Sequence, residues 1–226
     1  MNNAGPTTSH VTEKNNFAYL AVVLILLLFG LALSQEFSIA LGQIAVEAAL
    51  IAALGAGVWS TRGEHRFRTT RLSLMATVLL LFAVRLWVTQ ADLDLVWIGF
   101  VTVYLVLTTW SAMRLVLFSG PVDWNKIVGS FCIYLLLGVI WATLYLMLAA
   151  FRPGAFNGLP ASSWHGSFPD LLYFSFVTLT TVGYGDITPI SPLAHFLAMM
   201  EAVIGQFYLT VLVASLVGSV LSNRQK

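Results

Sequence analysis

The sequence predicts an all-α polytopic membrane protein. Six transmembrane helices are expected, with a short re-entrant helix and loop between the fifth and sixth. Three observations carry that prediction. Hydrophobic residues make up 58% of the 226 positions and charged residues only 9%, where a soluble domain carries about 25% charge. Six apolar stretches approach or exceed the ~20 residues that cross a ~30 Å hydrocarbon core. A seventh apolar stretch stops far short of that length and ends in glycines. The same composition excludes other classes. A net charge of +1 is too small for binding nucleic acid through a basic face, and the apolar content is too high for a disordered chain. Cys132 stands alone in an apolar run, so neither a disulfide framework nor a thiolate metal cluster is available.

The first span is Phe17–Leu33. Lys14 precedes it and Ala32-Leu33-Ser34 resembles a signal-peptidase site, but the apolar run exceeds a signal peptide's core, so a retained helix is expected. The second, Phe37–Trp59, carries Ala45, Ala49, Ala53 and Gly57 as a small-residue seam for close helix contact. It also holds Glu47, and the third, Leu72–Gln90, holds Arg85. These two fit an intramembrane ion pair in the outer half of the bilayer; Arg85 reaching to the surface fits equally well. The fourth is Leu95–Phe118, the fifth Ile127–Ala150 and the sixth Pro192–Leu221. Lys14, Arg62, Arg66, Arg68, Arg71, Arg114, Lys126, Arg224 and Lys226 fall on one side, while Glu36, Asp92, Asp94 and Asp186 fall on the other. The positive side is cytoplasmic, which places both termini there and Asp186 outside.

Pro169–Thr180 is too short to span and is expected to be re-entrant. Pro169 suits a first helical position, Ser167 a cap, and Asp170 the positive helix end, so the helix should start near Ser167. Its C-terminus then turns partial negative charge toward the membrane interior, which favours a cation. Thr181-Val182-Gly183-Tyr184-Gly185 follows. Irregular backbone at membrane depth must be buried in protein or line an aqueous cavity. The glycines reach backbone geometries closed to other residues, letting successive carbonyls point one way, and the Thr181 hydroxyl adds another oxygen. Oxygen ligands suit a hard, weakly held cation.

Thr181–Gly185, set between a short helix and a final span, resembles the potassium-channel signature. The resemblance is to bacterial potassium channels with one pore loop per subunit, and it covers the last hundred or so residues. It implies a potassium-channel pore architecture, with Lys126–Ala150 as outer helix, Pro169–Thr180 as pore helix and Pro192–Leu221 as inner helix. It implies four identical subunits around the pore, and filter carbonyls of Thr181, Val182, Gly183, Tyr184 and Gly185 replacing the hydration shell of K+. Tyr184 is expected to pack on pore-helix aromatics, for which Tyr173, Phe174 and Phe176 are available, and Asp186 to hold the mouth. Where some members keep a pore-helix carboxyl, this chain has Val177. Glu201, about 140° around the helix from Gln206, is expected to lie behind the filter and brace the pore helix in place of that group. The resemblance puts a helix bend at Gly205; close packing of a small residue explains a glycine there as well. Gln206, Leu209 and Val213 are expected to face the cavity.

Four helices before a pore invite a voltage-sensing reading. A sensor needs several arginines, each contributing ~2.3 kcal/mol per 100 mV, and the fourth span has only Arg114, at its end. Strong voltage dependence is not expected. His165 and His195 fit exposed or capping roles better than external pH sensing. The expected organisation is a cytoplasmic tail over residues 1–16, a four-helix membrane domain over 17–118 and a pore domain over 119–226. The expected activity is passive K+ conduction by a homotetramer in the plasma or inner membrane, with K+ and lipids as partners, no nucleic acid, no cofactor beyond the permeant ion and no catalytic constellation. A non-selective monovalent cation channel fits the same frame. A secondary transporter should show paired helix interruptions, and a non-conducting scaffold has no need of the loop.

Overall fold

Long apolar runs without interior proline form four long helices. These are α1 (Asn16–Phe37), α2 (Ala91–Phe118), α3 (Trp124–Phe151) and α5 (Pro192–Arg224), with a shorter α4 (Trp164–Leu179) before the last. The computed structural model describes residues 16–37, 73, 75–80, 83–84, 91–118, 124–159 and 164–224. Among them, Leu95–Val116, Trp124–Phe151 and Pro192–Ser215 are long and apolar enough to cross a membrane, and Phe17–Leu33 is a shorter apolar stretch. The second span with Glu47 and its alanine seam, and Arg85 in the third, lie outside the described residues. So do most of the cytoplasmic arginines assigned from the sequence.

The outer helix α3 is the hub: α1 and α2 pack on it, and so do α4 and α5. Near its start, a Cβ added to Gly129 would come within 2.7 Å of Val116 and 3.1 Å of the Phe17 ring. The Cys132 thiol donates to the Phe17 carbonyl at 3.4 Å. The beginnings of α1 and α3 and the end of α2 therefore share one level. Higher up, the Thr102 hydroxyl donates to Thr143 at 3.0 Å, so α2 runs antiparallel to α3. Tyr208 of α5 donates to the Ser130 carbonyl at 2.7 Å, which makes α5 antiparallel to α3 as well. The first and fourth spans thus pack on the outer helix of their own chain.

Three local features depart from expectation. The helix expected to start near Ser167 starts at Trp164, so Ser167 and Pro169 lie inside it. Proline at that point forfeits only one backbone bond, to the His165 carbonyl in the first turn, and burial of Phe168, Leu171 and Leu172 offsets the loss. The last helix continues past Leu221 to Arg224. A two-residue ladder also forms, with β1 (Phe156–Asn157) antiparallel to β2 (Thr188–Pro189), pairing Phe156 with Pro189 and Asn157 with Thr188. Ser191 caps α5 by accepting the Ala194 N–H at 3.2 Å, with Pro192 at the first helical position.

Candidate ion-conduction site

The backbone of the Thr181–Gly185 segment is anchored to the end of α4. The N–H groups of Thr180 and Thr181 donate to the Phe176 and Thr178 carbonyls at 3.0 and 2.9 Å. Those of Val182 and Gly183 both donate to Val177, at 2.9 and 3.4 Å. Thr181, Gly183 and Gly185 have φ of 59°, 59° and 82°, whereas Val182 and Tyr184 between them do not have positive φ. Alternation of the sign of φ gathers successive N–H groups on one side of a strand and leaves the carbonyls on the other. The N–H side is the one held by Val177. Val182 is 52% and Tyr184 72% exposed, and an added Cβ at Gly183 or Gly185 meets nothing within 4 Å.

At the outer end, Tyr184 stacks on Tyr173, with ring centroids 6.4 Å apart and planes inclined by 3°. The Tyr173 hydroxyl donates to Asp186, and this bond, helped by the N–H of Ile187, holds the Asp186 carboxyl below its ordinary value. Phe174 turns the other way, packing edge-on against Tyr145 at 5.1 Å and Phe156 at 5.6 Å. Phe176 lies against Gly138, where a Cβ would meet its ring at 2.6 Å. Of the three aromatics expected beside Tyr184, Tyr173 stacks on it, while Phe174 and Phe176 lock α4 to α3.

Behind the segment, Glu201 is fully buried. Its two oxygens are approached at 2.5 Å by the hydroxyls of Tyr145 on α3 and Ser175 on α4, and the Ser175 hydroxyl also lies 2.8 Å from the Gly138 carbonyl. One carboxyl therefore joins three helices. A buried carboxyl at membrane depth is costly without such partners. Lower down, the Leu179 carbonyl, the last in α4, accepts the Tyr134 hydroxyl at 3.2 Å. A Cβ on Gly205 would lie 2.7 Å from that same oxygen. Glycine at 205 lets α5 approach the end of α4, and α5 remains helical through it. Gln206 and Val213 are exposed and Leu209 is half-buried. His195 contacts the Pro189 carbonyl at 2.9 Å.

Residues 130–222 match the family model described as ion channel. The inward rectifier potassium channel Kirbac3.1 of Paramagnetospirillum magnetotacticum is 36% identical over 93 residues, covering 41% of this chain and 28% of its own. Two pore potassium channel c of Oryza sativa subsp. japonica is 40% identical over 92 residues, 41% of this chain and 18% of its own. Residues 130–222 are thus similar to ion-channel sequence, including that of potassium channels. Two-pore potassium channel 5 of Arabidopsis thaliana is 32% identical over 105 residues, 46% of this chain and 24% of its own. The chain therefore spans less than a third of the length of these relatives. No solved structure matches it.

Several residues of the pore domain escaped the reading of the sequence. Tyr134, Tyr145 and Tyr208 lie within the fifth and sixth apolar spans, yet each hydroxyl finds a partner on another element. A signal was present, because a tyrosine within a span carries a hydroxyl that must be satisfied where no water reaches. Ser175 and Gly138 carry no comparable signal, since their roles depend on which helix faces which.

Proposed function

We propose that the chain is one subunit of a homotetrameric, potassium-selective channel that conducts passively and without strong voltage dependence. The observation that carries this reading is the alternating φ of Thr181–Gly185 with the N–H side tied to Val177. It leaves a row of carbonyl oxygens on the open face, where copies of the chain around one axis would stack rings of oxygen for K+. Thr181, Val182, Gly183 and Tyr184 supply the ion sites, with Gly185 closing the row. Asp186 and Tyr173 hold the outer end, Phe174 ties the pore helix to the outer helix, and Glu201 braces the pore helix from behind. Gly205 serves close packing, and Gln206, Leu209 and Val213 line the cavity below.

The four helices before the pore form a membrane domain without a charged sensor, since Arg114 stacks over Trp110 at 5.5 Å at the end of α2. Both termini are proposed to be cytoplasmic, as the distribution of Lys and Arg dictates. The test is Rb+ or Tl+ uptake into liposomes holding the purified protein, with barium block, followed by reversal potentials in opposed K+ and Na+ gradients. A reversal potential that tracks K+ supports the proposal. Flux without K+ preference leaves the non-selective cation channel, and no flux removes the channel reading.

A further inference from the structure

The loop leaving the outer helix does more than connect it to the pore helix. Arg152 and Ala155 continue the end of α3 as tight turns, with N–H bonds to Leu148 at 2.8 Å and to Arg152 at 3.0 Å. The chain then runs back along the exit of the Thr181–Gly185 segment. Phe156, buried between Tyr145 at 5.5 Å and Phe174 at 5.6 Å, nails it to the outer and pore helices. Phe156 and Asn157 pair with Pro189 and Thr188. The Ala155 carbonyl accepts the N–H groups of Ile190 at 2.8 Å and Ser191 at 3.3 Å. Gly158 presses closest of all, since a Cβ there would lie 2.0 Å from the Asp186 carbonyl oxygen.

These contacts fall on residues 186–191, immediately after the proposed filter. From inside, that filter is tied to α4 only as far as the N–H of Gly183, apart from side-chain contacts of Tyr184 and Asp186 with Tyr173. Its outer half therefore takes its backbone position from the strap. We propose that residues 155–158 are a strap that sets the geometry of the filter's exit, and that Gly158 is a positioning residue for ion selectivity. The inference rests on reading Thr181–Gly185 as the filter. Selectivity requires the outer carbonyls to be held at a fixed spacing and field. A side chain at 158 pushes against backbone, which cannot swing away as a flexible side chain does.

Gly154 provides an internal control. Its φ of +83° matches the +82° of Gly158, but a Cβ there meets nothing within 4 Å. Gly154→Ala therefore carries the same backbone strain without the contact. The experiment compares wild type, Gly154→Ala and Gly158→Ala in liposomes or planar bilayers by K+/Na+ permeability ratio, with assembly followed by size-exclusion chromatography. The expected result is a wild-type ratio for Gly154→Ala and a drop of about tenfold for Gly158→Ala. A wild-type ratio in assembled Gly158→Ala overturns the strap, as does an equal drop in both variants.

If Gly158→Ala does not assemble, the paired positions give a second test. Asn157→Cys with Thr188→Cys places two thiols on residues that face each other across the ladder. Mild oxidation should form an intrachain bridge and leave the ratio unchanged. Failure to bridge, or bridging with loss of selectivity, overturns the proposal. A wild-type protein that shows no K+ preference refutes the filter reading itself, separately from any effect at Gly158.

Discussion

The junction at Glu201 gives the sharpest energetic test of the pore-domain architecture. Tyr145→Phe deletes one hydroxyl that reaches Glu201 at 2.5 Å and changes nothing else in volume to speak of. A hydrogen bond contributes ~1 kcal/mol between neutral groups and ~1.5–3 kcal/mol when one partner is charged, so the single variant should lose about 1–3 kcal/mol per subunit. Glu201→Ala removes the acceptor of both hydroxyls and leaves a cavity. Ser175 still has the Gly138 carbonyl at 2.8 Å, so the only orphan is the Tyr145 hydroxyl, which costs ~1–3 kcal/mol beyond the cavity. In the double variant that orphan is gone. The double should therefore be no less stable than Glu201→Ala alone, giving a coupling of at least ~1–3 kcal/mol. Reversible unfolding of the detergent-solubilised protein, followed by circular dichroism, measures all four corners of the cycle. Additivity within ~0.5 kcal/mol refutes the claim that this carboxyl ties α3 to α5.

The same site permits a proton inventory. A hydroxyl has one hydrogen, and Ser175 sits within reach of two acceptors. Either an ionised Glu201 takes that hydrogen, or a carboxylic acid donates to Ser175, which passes its own hydrogen to Gly138. Glu201→Gln separates the two, because an amide offers an N–H to Ser175 and an oxygen to Tyr145. Stability within ~0.5 kcal/mol of wild type marks the donor pattern, and a loss of ~1.5–3 kcal/mol marks the ionised one.

Gly205→Ala drives a methyl into the Leu179 carbonyl, so a loss of about 1–3 kcal/mol is expected from overpacking. Gly99→Ala, where a Cβ meets nothing within 4 Å, should be neutral or stabilise by up to ~1 kcal/mol; thermal unfolding checks both. Gly138→Ala should destabilise comparably by striking the Phe176 ring, and Phe176→Leu should restore much of the loss, since the obstacle is a side chain and not backbone. Asp186, hydrogen-bonded by Tyr173, titrates below its ordinary value of 3.8. Its contribution to the outer mouth is full above the ordinary aspartate range and is lost as pH falls through the lowered value. K+ conductance should hold through mildly acidic external solution, and Tyr173→Phe should move the fall to higher pH; currents measured against external pH decide it.

What could be read from the sequence follows the reach of each signal. The spans of α1, α2, α3 and α5 come from long apolar runs, whose content alone marks them. The glycines of the Thr181–Gly185 segment come from a local backbone requirement, and Gly183 and Gly185 take positive φ. Thr181 takes a positive φ without being glycine, and nothing in its chemistry announced this. Residue 201 could be assigned a face of its own helix because helical angles propagate along one element. Its partners could not be named, since Tyr145 and Ser175 lie on two other helices whose rotation the sequence leaves open. The start of α4 was misplaced because proline was weighed as a helix boundary, whereas burial of Phe168 and Leu171 carries the helix through it. The strap was invisible, as a ladder of two residues has no periodicity to detect.

The contacts that hold the proposed filter share one origin. At the inner end the Leu179 carbonyl is held by Tyr134 of α3 and Gly205 of α5. At mid-depth, Tyr145 of α3 reaches Ser175 of α4 through Glu201. At the outer end the strap leaves α3 directly. Each level uses a different interaction, yet α3 is present in all of them. The helices α1 and α2 pack on α3, and α2 is hydrogen-bonded to it through Thr102 and Thr143. A displacement of these N-terminal helices therefore reaches the proposed filter mainly by moving α3, although α1 also touches α4 directly, and it then acts at three depths together.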